Sequence, residues 1–593
     1  MIVRAIAELG THLGNAFDLP APVICPENCP PEFEGDITVN CFRLAKSLRN
    51  APPKIAAEAE RFLASHPDVE SAETIKAFVN VTLRAEALFR DCVADEDALF
   101  ARIPVPEAER RRVLIEFSAP NTNKPQHLGH VRNNTLGEAT TAMLRAVGHD
   151  CIPVNLVNDR GIHICKSMLA YQRWGEGATP ESTGEKGDHL VGDFYVRFDK
   201  EYRRQLAELR EHNPEWRERT DDDLFLETEI GRAAQDMLLR WEQDDPEVRE
   251  LWRTMNAWVL EGFEQTYRRM GVEFEHTYLE SETYGLGKDV VQQGLDAGVF
   301  YRREDGAVAI DLEKEKLDHK VVLRSDGTSV YITQDLGTTL LKQRDYGPDA
   351  QIWVVGDEQI RHFQVLFAIL RRLGYQWAEN LAHMAYGMVN LPSGKMKSRE
   401  GTVVDADDLF DEMVRLAREA TLERAGDAPP EDVDRRAEII GMGALKFMLL
   451  KVNPKTTLMF DPEASIRFEG DTGPYVLYAG ARINSMLRKA EDDAFEPAVD
   501  WSVLGTPEER DVALRCAAYP ETLRKAADDL DTSVLAGYLL DLAKAFSRFY
   551  RECPVLTAQT PALRRARLEL SCRVRRIIEH GLDTMTVGTL ESM

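Results

Sequence analysis

Two histidines three residues apart, in His127-Leu128-Gly129-His130, follow an asparagine-rich approach, Ser118-Ala119-Pro120-Asn121-Thr122-Asn123-Lys124. At the start of a helix such a pair can face an anion held by the free backbone N–H groups, while Gly129 lets a flat base come close. Far downstream, Lys395 and Lys397 lie in Pro392-Ser393-Gly394-Lys395-Met396-Lys397-Ser398-Arg399-Glu400-Gly401. The flanking glycines permit movement, so the two ammonium groups can close on phosphates as charge builds at a reacting phosphorus. Each box alone has a plainer reading, as surface histidines at a helix cap and as a polar hairpin. Together they outline an ATP site.

The elements around the boxes support this. Val113-Leu114-Ile115-Glu116-Phe117 reads as a buried strand, and Leu136, Ala139, Ala142, Met143 and Val147 mark a helix that stops at Gly148. A second strand, Ile152 to Val157, completes a βαβ start, the setting in which parallel sheets bind nucleotides at strand ends. From about 172 to 276 the chain turns charged and Trp-rich, with Leu251, Met255, Val259, Phe263 and Tyr267 on one helical face. This reads as a helical insertion within the nucleotide fold. Strand signals return at Val308-Ala309-Ile310-Asp311, Val330-Tyr331-Ile332-Thr333 and Ile352-Trp353-Val354-Val355, followed by a helix from Phe363 to Leu373. No Gly-x-x-x-x-Gly-Lys-Ser/Thr loop occurs, and Gly441-Met442-Gly443 lacks the third glycine and preceding strand of a dinucleotide fingerprint. Kinase-type and dehydrogenase-type chemistry lose support.

The organisation expected for 593 residues is multi-domain. Residues 1–105 form a small α/β module, with a helix over Phe42–Leu48 and a strand in which Ala77, Val79, Val81 and Leu83 alternate with Phe78, Asn80, Thr82 and Arg84. Residues 106–405 carry the nucleotide fold, 406–455 a helical connector, and 456–593 an all-α bundle with Leu535, Tyr538, Leu539, Leu542, Phe546 and Phe549 on one stripe. The last helix gathers Arg564, Arg565, Arg567, Arg573, Arg575 and Arg576, a basic face in a chain of net charge −27. A solvated surface is the usual reading of such a run, and a polyanion contact is the sharper one. No stretch approaches the ~20 apolar residues of a membrane span, and the N-terminus lacks the succession of a secretory signal, so the expected location is cytoplasmic. Nine cysteines form no Cys-x-x-Cys pair, and Cys25, Cys29 and Cys41 lack a fourth ligand nearby, so no zinc is expected.

The two boxes, in this order on an interrupted nucleotide fold with a helical C-terminal bundle, resemble class I aminoacyl-tRNA synthetases. Ile115-Glu116-Phe117-Ser118-Ala119-Pro120-Asn121 with Lys124, Tyr331-Ile332-Thr333-Gln334-Asp335, Gln359 with His362, and Phe468-Glu469-Gly470-Asp471-Thr472-Gly473-Pro474-Tyr475 are similar to the arginyl-tRNA synthetases over nearly the whole chain. The resemblance implies a Rossmann-like catalytic domain, an additional N-terminal tRNA-binding domain and an anticodon-binding bundle in a monomer. It implies L-arginine, ATP with Mg²⁺ and tRNA-Arg as partners, no metal held by protein ligands, and activation that depends on bound tRNA. ATP would meet Lys124, His127, Gly129, His130, Lys395, Lys397 and Ser398, with Lys124, His127, His130 and Lys395 acting in catalysis. Arginine would meet Glu116, Asn121, His127, Tyr331, Asp335 and Gln359. A planar guanidinium fork needs carboxylate acceptors, which Glu116 and Asp335 supply. Tyr538, Arg573 and Arg576 are the expected tRNA contacts.

Two departures qualify the match. Ser398 stands where the class usually has its second lysine, which shifts phosphate binding toward Lys124, and Asn158-Asp159-Arg160-Gly161-Ile162-His163 departs from the family form. The insertion is not expected to edit, because arginine's charge and length already set it apart. Rival readings are a synthetase for another cationic amino acid, a smaller nucleotidyltransferase that would leave the C-terminal third without employment, and a noncatalytic RNA-binding paralogue.

Overall fold

The computed structural model describes residues 4–30, 32–392, 404–423, 429–490 and 499–591. Lys395, Lys397 and Ser398 lie outside the described residues. At the centre is a five-stranded sheet in the order Leu381–Tyr386, Ala350–Gly356, Arg112–Glu116, Asp150–Val157 and His276–Leu279. Every neighbouring pair is parallel, and Glu116 stands in register with Val154 on one side and Trp353 on the other. The chain leaves the middle strand outward toward 276–279 and then returns to build the other half from 350. That reversal puts a crevice beside Glu116 at the carboxyl ends of the strands, where parallel sheets bind ligands.

The strand Arg112–Glu116 is apolar throughout Val113, Leu114 and Ile115 because both of its faces are covered. One cover is the helix Leu128–Ala146, which we call the His-box helix. It approaches so closely that a Cβ at Gly137 would lie 2.2 Å from Phe117 Cγ. This helix also touches helices of the C-terminal bundle, so the catalytic and C-terminal halves share a packed boundary.

The region expected to be an insertion is helical, with Gly187–His212, Glu229–Glu242 and Pro246–Met270 as its main elements. Met255, Val259, Phe263 and Tyr267 are buried along the last of these, which ends at Gly271 in the left-handed region, φ 64°. Two expectations fail here. Val330–Thr333 is not a strand: a helix runs from Tyr331 to Tyr346, burying Ile332, Thr333 and Leu336 at helical spacing. A four-residue run of β-branched and aromatic residues cannot by itself separate a period of 2 from one of 3.6. Val308–Ile310 is a strand, but it belongs to a separate antiparallel sheet with Tyr301–Arg302 and Lys320–Leu323 rather than to the nucleotide sheet.

In the N-terminal module a four-stranded antiparallel sheet includes Phe78–Leu83, with Val79, Val81 and Leu83 in the core. The helix expected over 42–48 is shorter, Cys41–Leu44, and continues as turns. The module packs on the C-terminal bundle through ion pairs, one buried and one half-exposed. Arg510 donates to both carboxylate oxygens of Asp36, and Arg102 reaches Glu521 at 2.5 Å. The bundle itself comprises Gly473–Ala490, Pro507–Asp528, Thr532–Glu552 and Pro561–Thr584, with Leu535, Leu539, Leu542, Phe546 and Phe549 all buried. No helix among the described residues is long and apolar enough to cross a membrane.

Candidate active site

Immediately after the middle strand, Ser118 and Ala119 adopt left-handed backbone angles, φ 77° and 47°, which non-glycine residues rarely take. The turn is held from three sides. Asn133 of the His-box helix accepts from Ser118 N at 2.6 Å, Asn155 accepts from Ala119 N at 3.0 Å, and the Ser118 and Tyr267 hydroxyls are bonded at 2.7 Å. Asn133 also donates to Val354 O and the Tyr386 hydroxyl, so one side chain ties this turn to the two neighbouring strands. Such strain amounts to roughly 1–3 kcal/mol per residue and persists only where its surroundings enforce it. Its result is a fixed path for Pro120 and Asn121, which runs beside Asn158 through a parallel bridge.

His127 caps the His-box helix. Its Nδ1 accepts from Gly129 N at 3.1 Å, and its own backbone N–H donates to His130 Nδ1 at 3.2 Å, with the two rings 4.0 Å apart. With both Nδ1 atoms accepting, each ring carries its proton on Nε2, and among the described residues that N–H is left to donate. Burial pulls His127 down to about 4, helped by the charge of Lys124. Burial likewise pulls His130 far below the ordinary range, with His127 and Lys124 adding to it. The pair is therefore neutral at physiological pH, and Lys124 brings the positive charge. Gly129 acquires a different reason from the one expected: a Cβ there would come within 2.9 Å of His127 Cε1, so the glycine makes room for the capping ring.

The chain just beyond the second box is bonded to this same turn. Leu128 N donates to Val404 O at 3.0 Å, Ala406 N donates to Gln126 O at 2.9 Å, and His127 bridges Asp405. Asp405 then caps the helix Ala406–Leu422. Nearby, Asp188, His189 and Asp407 cluster with the spacing of metal ligands, but Lys186 Nζ already bonds Asp407 at 2.7 Å and Asp188 at 3.1 Å. The ammonium occupies the place a cation would take.

The residues expected to bind the amino acid differ in how open they are. Asn121 and Gln359 are exposed at the ends of their strands, and Tyr331 is 80% exposed at the first turn of its helix. Asp335, one helical turn further, accepts from His362 Nε2 at 2.5 Å while its side chain remains 37% exposed. Glu116 differs from expectation, because Lys342 Nζ lies 2.5 Å from its Oε2 and both groups are buried. Its charge is already matched within the protein. An acid that sequence reasoning did not single out, Glu280, follows directly on the edge strand His276–Leu279. Burial raises its carboxyl; Arg160 opposes this, and the nearby Asp159 and Asp335 charges add to it. Glu280 therefore adds a partly buried carboxyl beside Asp159 and Asp335, a local excess of acids at this end of the sheet. The signal was an acid placed just after a strand end, hidden because His276 to Leu279 reads as the tail of the insertion.

The expected tRNA contacts are mostly engaged within the chain, which corrects the picture of an open basic face. Tyr538 donates its hydroxyl to Arg515 O at 2.8 Å and stacks on Tyr519. Arg573 donates to Val93 O at 2.9 Å and pairs with Glu96, leaving its side chain 14% exposed. Arg576 is different: it lies 3.8 Å from Glu96 but stays 59% exposed.

Comparison with known proteins agrees along the whole chain. The family described as tRNA synthetases class I (R), catalytic domain, matches residues 99–461, the DALR anticodon binding domain matches 476–593, and the arginyl tRNA synthetase N terminal domain matches 1–83. The arginine–tRNA ligase of Bacteroides thetaiotaomicron is 43% identical over 578 residues, 96% of both chains. That of Porphyromonas gingivalis is 43% identical over 579 residues, 95% of this chain and 94% of its own. Among solved structures, the Thermus thermophilus arginyl-tRNA synthetase superposes with a TM-score of 0.80 at 28% identity, covering 100% of both chains. The Plasmodium falciparum enzyme shares the fold, with a TM-score of 0.76 at 17% identity over 99% of each chain.

Proposed function

The chain belongs to the class I arginyl-tRNA synthetases, and from that premise we propose how its own side chains ligate arginine to tRNA. The reaction has two steps. The carboxylate of L-arginine attacks the α-phosphorus of ATP, pyrophosphate leaves, and the 2′-hydroxyl of the terminal tRNA ribose then attacks the mixed anhydride. Neither step needs a covalent nucleophile from the protein, so catalysis consists of positioning and charge stabilisation.

The observation that carries the assignment is the convergence at one turn. The neutral His127–His130 pair, the charge of Lys124 and the segment just beyond the second box meet at the N-terminus of the His-box helix. In this reading the two Nε2–H groups donate to phosphate oxygens, and Lys124, with Lys395, Lys397 and Ser398 of the second box, meets the growing charge. These groups are donors and ammonium ions, which complement phosphate rather than a cation. Mg²⁺ therefore enters as part of the ATP complex, and no zinc takes part.

Arginine lies across the crevice in the same reading. Asp335 and Glu280 accept from its guanidinium, with Tyr331 covering the side chain, while Asn121, Gln359 and His127 attend its ammonium and carboxylate ends. Glu116 contributes through the Glu116–Lys342 pair, which fixes the pocket floor. The helical insertion has no editing role. We assign activation as tRNA-dependent and the enzyme as a cytoplasmic monomer, with Arg576 among its contacts to tRNA-Arg. The test is ATP–pyrophosphate exchange with arginine or lysine, with and without tRNA-Arg. Exchange with arginine alone, requiring tRNA, is expected; exchange with lysine, or with neither amino acid, sinks the assignment.

A further inference from the structure

Arg132 stands two residues beyond His130 on the His-box helix and is among the largest fully buried side chains, at 0% exposure. A buried guanidinium ordinarily pairs with an acid. Among the described residues its hydrogen bonds go to carbonyl oxygens alone: Nη1 donates to Met388 O at 2.7 Å, and Nη2 to Pro454 O at 3.1 Å and Thr456 O at 2.8 Å. Its Nε has no hydrogen-bond partner among the described residues. Burial draws the guanidinium below its ordinary value, with Tyr386 and Asp357 opposing. Keeping a cation in such a place costs stability, so a neutral side chain would serve the core better.

The three carbonyls belong to two distant segments that meet as a short parallel pair, Val389–Asn390 with Leu458–Met459. Gly387 N donates to Pro454 O at 2.9 Å, Leu458 N to Met388 O at 2.8 Å, and Phe460 N to Asn390 O at 2.7 Å. The first segment continues from the edge strand of the nucleotide sheet, Leu381–Tyr386. The second leaves the helix Pro430–Leu450 and is bonded to the C-terminal bundle. Asn453 donates to Asp531 Oδ2 at 2.6 Å, and Thr532 donates to Leu450 O at 2.9 Å. Arg132 is thus bonded directly to both segments from the helix that His127 caps.

We propose that Arg132 is a positioning residue for adenylate formation, fixing the first turns of the His-box helix against the 387–390 segment and the 454–456 turn of the C-terminal half. It touches no substrate and acts through His127 and His130, so the proposal rests on their assignment to the phosphates. The planar fork suits the task, since two Nη groups spread over three carbonyls, which a single ammonium at the end of a lysine cannot reproduce.

The test is Arg132→Lys in the full-length enzyme, which keeps the charge and removes the fork. Its exchange kcat with arginine and tRNA is expected to fall about 10- to 100-fold, the scale of an ångström-level misplacement. KM for ATP should change less than about threefold, because a contact needed only in the transition state is lost. Amide hydrogen exchange should quicken at 387–390 and 454–460. Wild-type kcat, or lost activity with unchanged protection there, overturns the proposal. His127→Ala separates the two assignments, since it should abolish pyrophosphate exchange while leaving protection at 387–390 intact; full activity in that variant removes the phosphate role and with it the route by which Arg132 acts. If Arg132→Lys does not fold, Asn453→Ala loosens the same turn from its exposed side, with an expected kcat loss of about two- to fivefold. Unaltered kcat there overturns the proposal equally.

Discussion

The turn that opens the His-box helix and the Arg-rich helix Pro561–Thr584 both look in sequence like places to meet polyanions, and the structure treats them in opposite ways. At the turn, internal hydrogen bonds consume the Nδ1 atoms of His127 and His130, and their Nε2–H groups are left to donate. On the Arg-rich helix the charges are largely matched at home. Arg565 pairs with Glu569 at 2.7 Å, Arg567 with the buried Glu509 at 2.8 Å, and Arg573 with Glu96. The second region has more charge, much of it paired within the chain, and the first keeps ring N–H groups turned to no internal acceptor among the described residues. Availability, rather than the number of basic residues, marks a binding surface, because a paired guanidinium must give up a partner before it takes a phosphate.

The contrast breaks most visibly at the arginine pocket. Replacing both acids, Asp335→Asn with Glu280→Gln, should lower kcat/KM for arginine by roughly 10³-fold, since unpairing a desolvated charge costs about 2–5 kcal/mol. Steady-state exchange at varied arginine checks this, and a loss below tenfold removes Glu280 from the pocket.

Next in size is the capping pair. His127→Gln should lower exchange by about 10²–10³-fold, the usual effect of losing one preorganised donor. Its pH signature has a definite sign. The native His127 titrates near 4, below its ordinary 6.5, so its contribution to stability is present above 6.5 and lost as pH falls toward 4. His127→Gln should therefore remove up to about 3 kcal/mol of acid lability across that window, read as a flatter dependence of unfolding free energy on pH.

Two glycines sharpen the comparison through opposite signs. Gly137→Ala would push a Cβ to 2.2 Å from Phe117 Cγ and should destabilise by about 1–3 kcal/mol. Gly537, in the helix Thr532–Glu552, has nothing within 4 Å of an added Cβ, so Gly537→Ala should stabilise by about 0.5–1 kcal/mol. Denaturant midpoints decide both. The smallest effect falls on the Arg-rich helix itself. Arg576→Ala should weaken tRNA binding by about threefold or less and reduce its salt dependence. Arg573→Ala should instead loosen the N-terminal module, seen as faster proteolysis near Glu96. A large loss of tRNA affinity from Arg573→Ala would reverse the comparison.

Much of the chemistry was legible in local order. The capping histidines, the strand that delivers Glu116 and the buried faces of Pro246–Met270 and Thr532–Glu552 follow from spacing, because helix and strand periodicity are properties of near neighbours. The four residues Val330 to Thr333 were not legible, since they suit a strand by type, yet Val330 caps a helix that starts at Tyr331, where Ile332, Thr333 and Leu336 find a core on one side. Residue types and spacing by themselves pointed to ATP chemistry, and the resemblance to the arginyl-tRNA synthetases supplied the reaction and the residues eligible for it. Only the tertiary structure decided which of them are free. Lys342 lies 226 residues from Glu116, the carbonyls on Arg132 come from 256 to 324 residues away, and Glu96 is 477 residues from Arg573. Whether a charge is open or matched depends on groups that no local pattern brings together, and folding alone supplies that neighbour.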